Sequence, residues 1–288
     1  ARNVLIFGGG YDPTVDDLDP DRTYTTVSSS TNASDVTTTV TTSTRKRITN
    51  DDSASGVVTA TSTVTVTTDV TSGGATTTTV SGPTTTTTNY NRGMGRALYV
   101  VDAADGSVLW RAGRSGSGAD RIVPDFDYSV PSDIAALDLD GNGYIETLYF
   151  GDTGGNLWRA NIGDIDDNNW SVTKLATLGG SGVNKRKILF KPDVVVTTGY
   201  RALLFGSGDR EHPLDTTVTN RFYMVKDTGT SSGLVESDLY DATEDAVQST
   251  TLGTAATAAS AIEANDGWYI TLESGEKVIG GAITLSYG

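Results

Sequence analysis

Residues 98–112 read LYVVDAADGSVLWRA, and residues 148–160 repeat the theme as LYFGDTGGNLWRA. Each copy is an apolar strand, a turn carrying Asp and Gly, and a second strand ending in Trp-Arg-Ala. Leu98 and Leu148 lie 50 residues apart, and Trp110 and Trp158 lie 48 apart. A weaker copy, YITLESGEKVI, follows at 269–279, and a second theme recurs as LIFGGG at 5–10, LYFG at 148–151 and LLFGSG at 203–208. Hairpin units repeating every 40–50 residues fit the blades of a β-propeller. One twisted hairpin sheet cannot bury both of its faces, so such sheets must stack. The pattern predicts Trp110 and Trp158 in equivalent gaps between blades. Helix signal is scarce, and only about 236–265 is Ala-rich enough for a short helix, with Gly253 and the threonines opposing a long one.

The chain has 288 residues, enough for one large β domain, although length alone allows two. The apolar residues come in short packets between glycines, so the core is expected to be assembled from many strands. With 36 Asp and Glu against 21 Lys and Arg, the net charge is −15. That surface repels phosphate backbones and anionic lipid heads, and it suits cations and solubility outside the cell. Absence of cysteine excludes disulfides and thiol chemistry. No apolar run approaches a membrane span, and no signal peptide precedes Ala1. Opening directly on Val4-Leu5-Ile6-Phe7, the sequence reads as a processed product or a segment of something longer.

Residues 23–89 differ in composition: Thr and Ser dominate, as in TATSTVTVTTDV at 59–70. Alternating Thr and Val favours strands with one modestly apolar face. A flexible, O-glycosylated stalk is the competing reading, because such tracts bury little. Either way, the expected domains are 1–22 with 90–288, interrupted by a Thr/Ser-rich insertion at 23–89.

The sharpest chemical signal is Asp138-Leu-Asp140-Gly-Asn142-Gly-Tyr144-Ile-Glu146. Oxygen donors fall at positions 1, 3, 5 and 9, with Gly143 at position 6, where the loop must turn sharply. Calcium takes six to eight oxygens, and a loop wound around one point can converge Asp138, Asp140 and Asn142 on it. Tyr144 is expected to give its backbone carbonyl, and Glu146 to close the cage. Position 12 is Tyr149 within an apolar strand, not the Glu of a helix–loop–helix sensor. An acidic turn without metal is the plainer alternative, and a purely stapling ion is favoured over a catalytic one.

Other residues carry less. His212 is the single histidine, so a zinc site or a Cys-based hydrolase is disfavoured. Asp209, Arg210 and Glu211 read as a charge-paired loop. Gly8-Gly9-Gly10 lacks the Gly-Lys-Ser/Thr of a phosphate loop and reads as a strand-end turn. Asp164, Asp166 and Asp167 lack a loop-turning Gly and make a weak second metal candidate. Arg45-Lys46-Arg47 is too short to imply a nucleic-acid partner. Asn32-Ala-Ser34 and Asn169-Trp-Ser171 match a glycosylation sequon that is common by chance.

The run VPSDIAALDLDGNGYIETLYFGDTGGNLWRANI at 130–162 resembles the calcium-loop blade of the PilC/PilY1 family of type IV pilus tip adhesins. GSGDREHPLDTTVTNRFYMVKD (206–227), DGWYITLESGEKVIGGA (266–282) and GRALYVVDAADGSVLW (95–110) are similar to other stretches of that family; the last also fits quinoprotein-type repeats. The resemblance implies an all-β, modified β-propeller, incomplete as given or completed by another chain, with the Thr-rich β insertion outside it. It further implies an extracellular, pilus-tip protein acting in pilus biogenesis, twitching and attachment. Its expected partners are pilin or minor pilins and a host or abiotic surface, with Ca2+ held by Asp138, Asp140, Asn142, Tyr144 and Glu146. No enzymatic activity is expected. The alternatives are a structural filament or surface-layer component and, less favoured, a quinoprotein-like dehydrogenase.

Overall fold

A computed structural model describes residues 3–11, 22–31, 37–50, 57–70, 76–90, 95–114, 117–180 and 185–285. It is mostly β-sheet, in keeping with the all-β expectation, and it has one α-helix among the described residues. In chain order the strands are β1 (Val4–Gly9), β2 (Arg22–Thr31), β3 (Thr37–Asn50), β4 (Val57–Val70), β5 (Thr76–Tyr90), β6 (Gly95–Asp102), β7 (Val108–Gly113), β8 (Arg121–Ile122) and β9 (Ala135–Leu137). Then come β10 (Thr147–Gly151), β11 (Asn156–Asn161), β12 (Ser171–Thr177), β13 (Asp193–Val196), β14 (Arg201–Gly206), β15 (Arg221–Asp227), β16 (Leu234–Val235), β17 (Tyr240–Asp241) and β18 (Gly267–Thr271), with helix α1 (Leu252–Ala264) before the last. The helix falls inside the Ala-rich window that the sequence marked.

The chain forms two compact units, Pro13–Gly93 and the remainder, Ala1–Asp12 with Met94–Gly288. In the Thr-rich unit, β2-β3-β4-β5 make one antiparallel meander of strands 10 to 15 residues long. Arg45, Lys46 and Arg47 lie on β3. The sequon at Asn32 falls outside the described residues.

Among its described residues the larger unit contains three sheets. The first is ordered β1-β6-β7-β8, the second β9-β10-β11-β12-β16, and the third β13-β14-β15-β18-β17. Their neighbours pair antiparallel except that β8, β16 and β17, each two residues long, join in parallel.

Side chains alternate across a strand, so a sheet buried on both faces must be apolar at every position. The second sheet is largely apolar on both faces, with Thr147, Asn156 and Arg159 the buried polar exceptions on β10 and β11. Leu148, Phe150, Trp158 and Ala160 face Leu98, Val100, Trp110 and Ala112 of the first sheet. Tyr149, Leu157, Leu175 and Ala176 face the third sheet, against Leu203, Phe205, Tyr223 and Val225.

Trp110 and Trp158 do not occupy equivalent gaps, because both belong to the core between the first and second sheets. The reason is geometric. The β6–β7 hairpin sits one strand later in its sheet than β10–β11 does when β1 and β10 are taken as counterparts. A hairpin moved by one strand in an antiparallel sheet must be turned over, which exchanges its faces. The same sequence theme therefore points forward from the first sheet and backward from the second. The third echo, 269–279, forms no hairpin: only Gly267–Thr271 is strand there.

The Leu-x-Phe-Gly theme behaves differently, marking structurally equivalent strands in all three sheets. Gly8, Gly151 and Gly206 end those motifs. At each, a Cβ would run into one residue of a later segment, respectively Val130, Ile188 and Val278. Substituting Gly151→Ala should cost about 1–3 kcal/mol, because Ile188 offers both its side chain and its carbonyl oxygen as obstacles. Gly253→Ala in α1 meets nothing within 4 Å, and should instead stabilise by about 1 kcal/mol. Urea denaturation of the two variants reads both signs.

A charged group also ties the second sheet to the third. Asp227 on β15 is fully buried and accepts from Arg159 on β11 at 2.6 Å and from the Tyr149 hydroxyl at 2.6 Å. Arg201 approaches the same carboxylate at 3.5 Å, and Gly229 N–H donates to it at 2.8 Å. Burial first, and then Asp227, push the Tyr149 phenol above its ordinary range, so it stays a donor.

Candidate metal centre

Leu137 at the end of β9 and Thr147 at the start of β10 are paired, so residues 138–146 are the nine-residue connection of one hairpin. Its closing bonds are Glu146 N–H to the Leu137 carbonyl at 2.9 Å and Ile162 N–H to the Glu146 carbonyl at 2.8 Å. Partly buried Ile145 packs against the core between the first and second sheets, which anchors the exit of the loop.

Inside the loop, backbone amides wrap the acidic side chains. Asp138 Oδ1 accepts from Gly141 N–H at 2.7 Å and Asn142 N–H at 3.1 Å, while Asp138 Oδ2 accepts from Gly143 N–H at 2.7 Å. Asp140 Oδ1 accepts from Asn142 N–H at 3.0 Å, and Asn142 Oδ1 from Tyr144 N–H at 2.8 Å. Glu146 Oε2 reaches back across the loop to Leu139 N–H at 2.6 Å. This winding needs left-handed backbone at Gly141 and Gly143, with φ +74° and +88°. The sequence reading singled out Gly143 and missed Gly141, although the Asp-Gly dipeptide carried the signal.

One oxygen each from Asp138, Asp140 and Glu146 lie within 4.8 Å of one another. Two ligands of one calcium ion, each about 2.4 Å from it, are at most about 4.8 Å apart. Glu146 Oε1 is buried and has no hydrogen-bond partner. A buried carboxylate oxygen without a partner is costly unless a cation satisfies it. The donor set is all oxygen, carrying three carboxylates, and therefore suits a hard divalent cation rather than zinc. Asn142 stands between Asp140 and Tyr144, with its amide donating to Asp140 Oδ2 at 2.9 Å. The Tyr144 side chain is 61% exposed, so its ring points to solvent while its main chain belongs to the turn.

The weaker acidic loop lies next door, since a Cβ at Gly163 would touch Glu146. There Asp164 and Asp166 accept from the backbone of Asp166 and Asn168 and from the side chains of Asn169 and Asn168. Hydrogen bonds from Asn168 hold the Asp166 carboxyl below its ordinary range. These groups cap a short 3-10 turn, Asp167–Asn169, and converge on no common point.

The loop around His212 is knit to a neighbour. Asp209 takes Lys187 at 2.8 Å and His212 Nδ1 at 2.9 Å, while Arg210 pairs with Glu211 at 3.2 Å. Burial opposes ionisation of Asp209, but Lys187 and His212 outweigh it and lower its pKa. No local signal in the sequence marks Lys187 as the main partner.

Comparison with known proteins finds one relevant similarity. Over 93 residues the chain is 33% identical to a type IV pilus biogenesis factor PilY1 homolog of Xylella fastidiosa strain Temecula1. The match covers 31% of this chain and 6% of that protein, so the chain spans a small part of its relative's length. No family model matches, and no solved structure matches.

Proposed function

We propose that this chain is a calcium-binding, cell-surface component of the type IV pilus system, with roles in pilus biogenesis, twitching and attachment. Similarity to the PilY1 homolog supports the pilus assignment. The calcium assignment rests on one observation: the buried, partnerless Glu146 Oε1 beside Asp138 and Asp140. Asp138, Asp140, Asn142 and Glu146 would hold the ion through side-chain oxygens, and Tyr144 through its carbonyl. The ion would hold the loop closed by neutralising carboxylates that otherwise repel each other. In this reading the three stacked sheets are blades of a modified β-propeller, and the protein binds rather than catalyses. Pilin or minor pilins and a host or abiotic surface are the partners.

Chelation with EGTA should lower the melting temperature by several degrees, since each kcal/mol is worth about 2–4 °C in a protein of this size. Asp140→Ala should remove the difference between calcium and chelator. An unchanged melting curve for the native chain under chelation would falsify the metal assignment. Separately, cells lacking the gene should lose surface pili or attachment, scored by electron microscopy and surface-retention counts. Normally piliated and adherent mutants would sink the pilus assignment and leave the metal question standing.

A further inference from the structure

The segment that leaves β11 carries a glycine that its backbone does not call for. Left-handed φ accounts for Gly141 and Gly143, whereas Gly163 is not left-handed. Gly163 is also exposed, so no core packing demands a small residue there. What a side chain would meet is Glu146. A Cβ at Gly163 would stand 2.8 Å from Glu146 Cγ, 2.9 Å from its Cβ and 3.2 Å from its Cα. Carbon atoms in contact prefer about 3.5–4.0 Å, so Glu146 would have to move.

Its backbone is held on both sides, with its N–H on the Leu137 carbonyl and its carbonyl accepting from Ile162 N–H. The side chain must therefore take up the displacement. That side chain carries Oε2, which holds Leu139 N–H at 2.6 Å, and the buried, partnerless Oε1.

The turn against which Glu146 lies is itself braced. Ile162, just before Gly163, is buried in the core between the first and second sheets. Just after it, the Asp164 carbonyl accepts the Trp170 indole N–H at 2.8 Å, and the Asp164 carboxylate accepts from Asp166 N–H at 2.9 Å and the Asn169 amide at 3.1 Å. Trp170 packs on the same core, edge-on to Trp110 at 5.2 Å. Arg121 of the first sheet donates to the Asn168 carbonyl at 2.6 Å. The acidic residues that read as a weak second metal candidate thus spend their hydrogen bonds on stiffening this turn.

We propose that Gly163 is a positioning residue for the calcium site, and that the braced turn 163–170 is the wall that holds Glu146 in its liganding pose. The inference rests on the calcium reading of residues 138–146. Without a Cβ at 163, the Glu146 stem lies directly against the turn, which fills the space on that side and presents the carboxylate to Asp138 and Asp140. A long side chain already restrained loses less freedom when an ion arrives, so the wall raises affinity without touching the ion.

Calorimetric titration with calcium chloride tests this. Gly163→Ala should weaken calcium by about 10–100-fold, the usual effect of losing a group that orients a ligand. Its melting temperature in EGTA should stay near that of the native chain, whereas a glycine of purely structural importance would lower it with and without calcium alike. Gly253→Ala, which meets nothing within 4 Å, should leave the affinity unchanged. In a Glu146→Ala background, titrated at higher calcium, Gly163→Ala should add less than a threefold loss, because the donor it displaces is gone. Trp170→Phe keeps the ring and drops the N–H that holds the Asp164 carbonyl; it should weaken calcium severalfold, and it decides the matter should Gly163→Ala fail to fold. Native affinity in Gly163→Ala or, where that variant does not fold, in Trp170→Phe overturns the proposal, as does a full loss in the Glu146→Ala background. A flat titration of the native chain overturns the calcium reading and this inference together, whereas normal native binding with an indifferent Gly163→Ala overturns this inference alone.

Discussion

Asp227→Ala should unfold at a melting temperature lower by roughly 6–20 °C, the equivalent of about 3–5 kcal/mol. The carboxylate is fully buried between two sheets, and its removal strands Arg159, itself 5% exposed, in a site without countercharge. Tyr149 loses its acceptor at the same time. Most of the loss reflects the orphaned guanidinium, not the worth of the pair. The double variant Asp227→Ala with Arg159→Met should therefore recover a large part of the stability. Equal instability of the single and double variants, in guanidinium titrations, would contradict this account.

Trp158→Ala should cost about 3–5 kcal/mol. The indole lies edge-on to Phe126 at a centroid distance of 4.9 Å and parallel to Phe150 at 6.5 Å, in the core between the first and second sheets. Its N–H also donates at 2.8 Å to the fully buried Asp152, whose pKa burial raises despite bonds from Asn156, Trp158 and Gly154. Trp158→Phe restores most of the apolar volume and lacks the donor, so its deficit isolates the hydrogen bond at about 1–3 kcal/mol. A Phe variant as unstable as the Ala variant would show that the polar contact, not the cavity, dominates.

Strand content, the spacing of the repeats and the short helix were legible in the sequence because period-two apolar runs and turn glycines are local signals. The acidic loop was legible for the same reason: its donors all fall within nine residues. The faces of the repeats were not. Two nearly identical hairpins pointed opposite ways because their strand positions differ, and a strand's place in a sheet is set by distant partners. Asp227 gave no sign either. Its partners lie 68 and 78 residues away, and nothing near it in the chain announces a buried charge. Lys187, the partner of Asp209, escaped for the same reason.

Because β10 has no solvent-facing side, the acidic turn is bolted to a plate that cannot slide. A one-residue slip of Thr147–Gly151 would swap Tyr149 with Leu148 and Phe150 and jam two cores at once. On the proposed calcium reading, an ion at Asp138–Glu146 would tighten or slacken the turn itself, with no lever by which to re-gear the stack beneath. A partner that sensed such an ion would have to touch the rim.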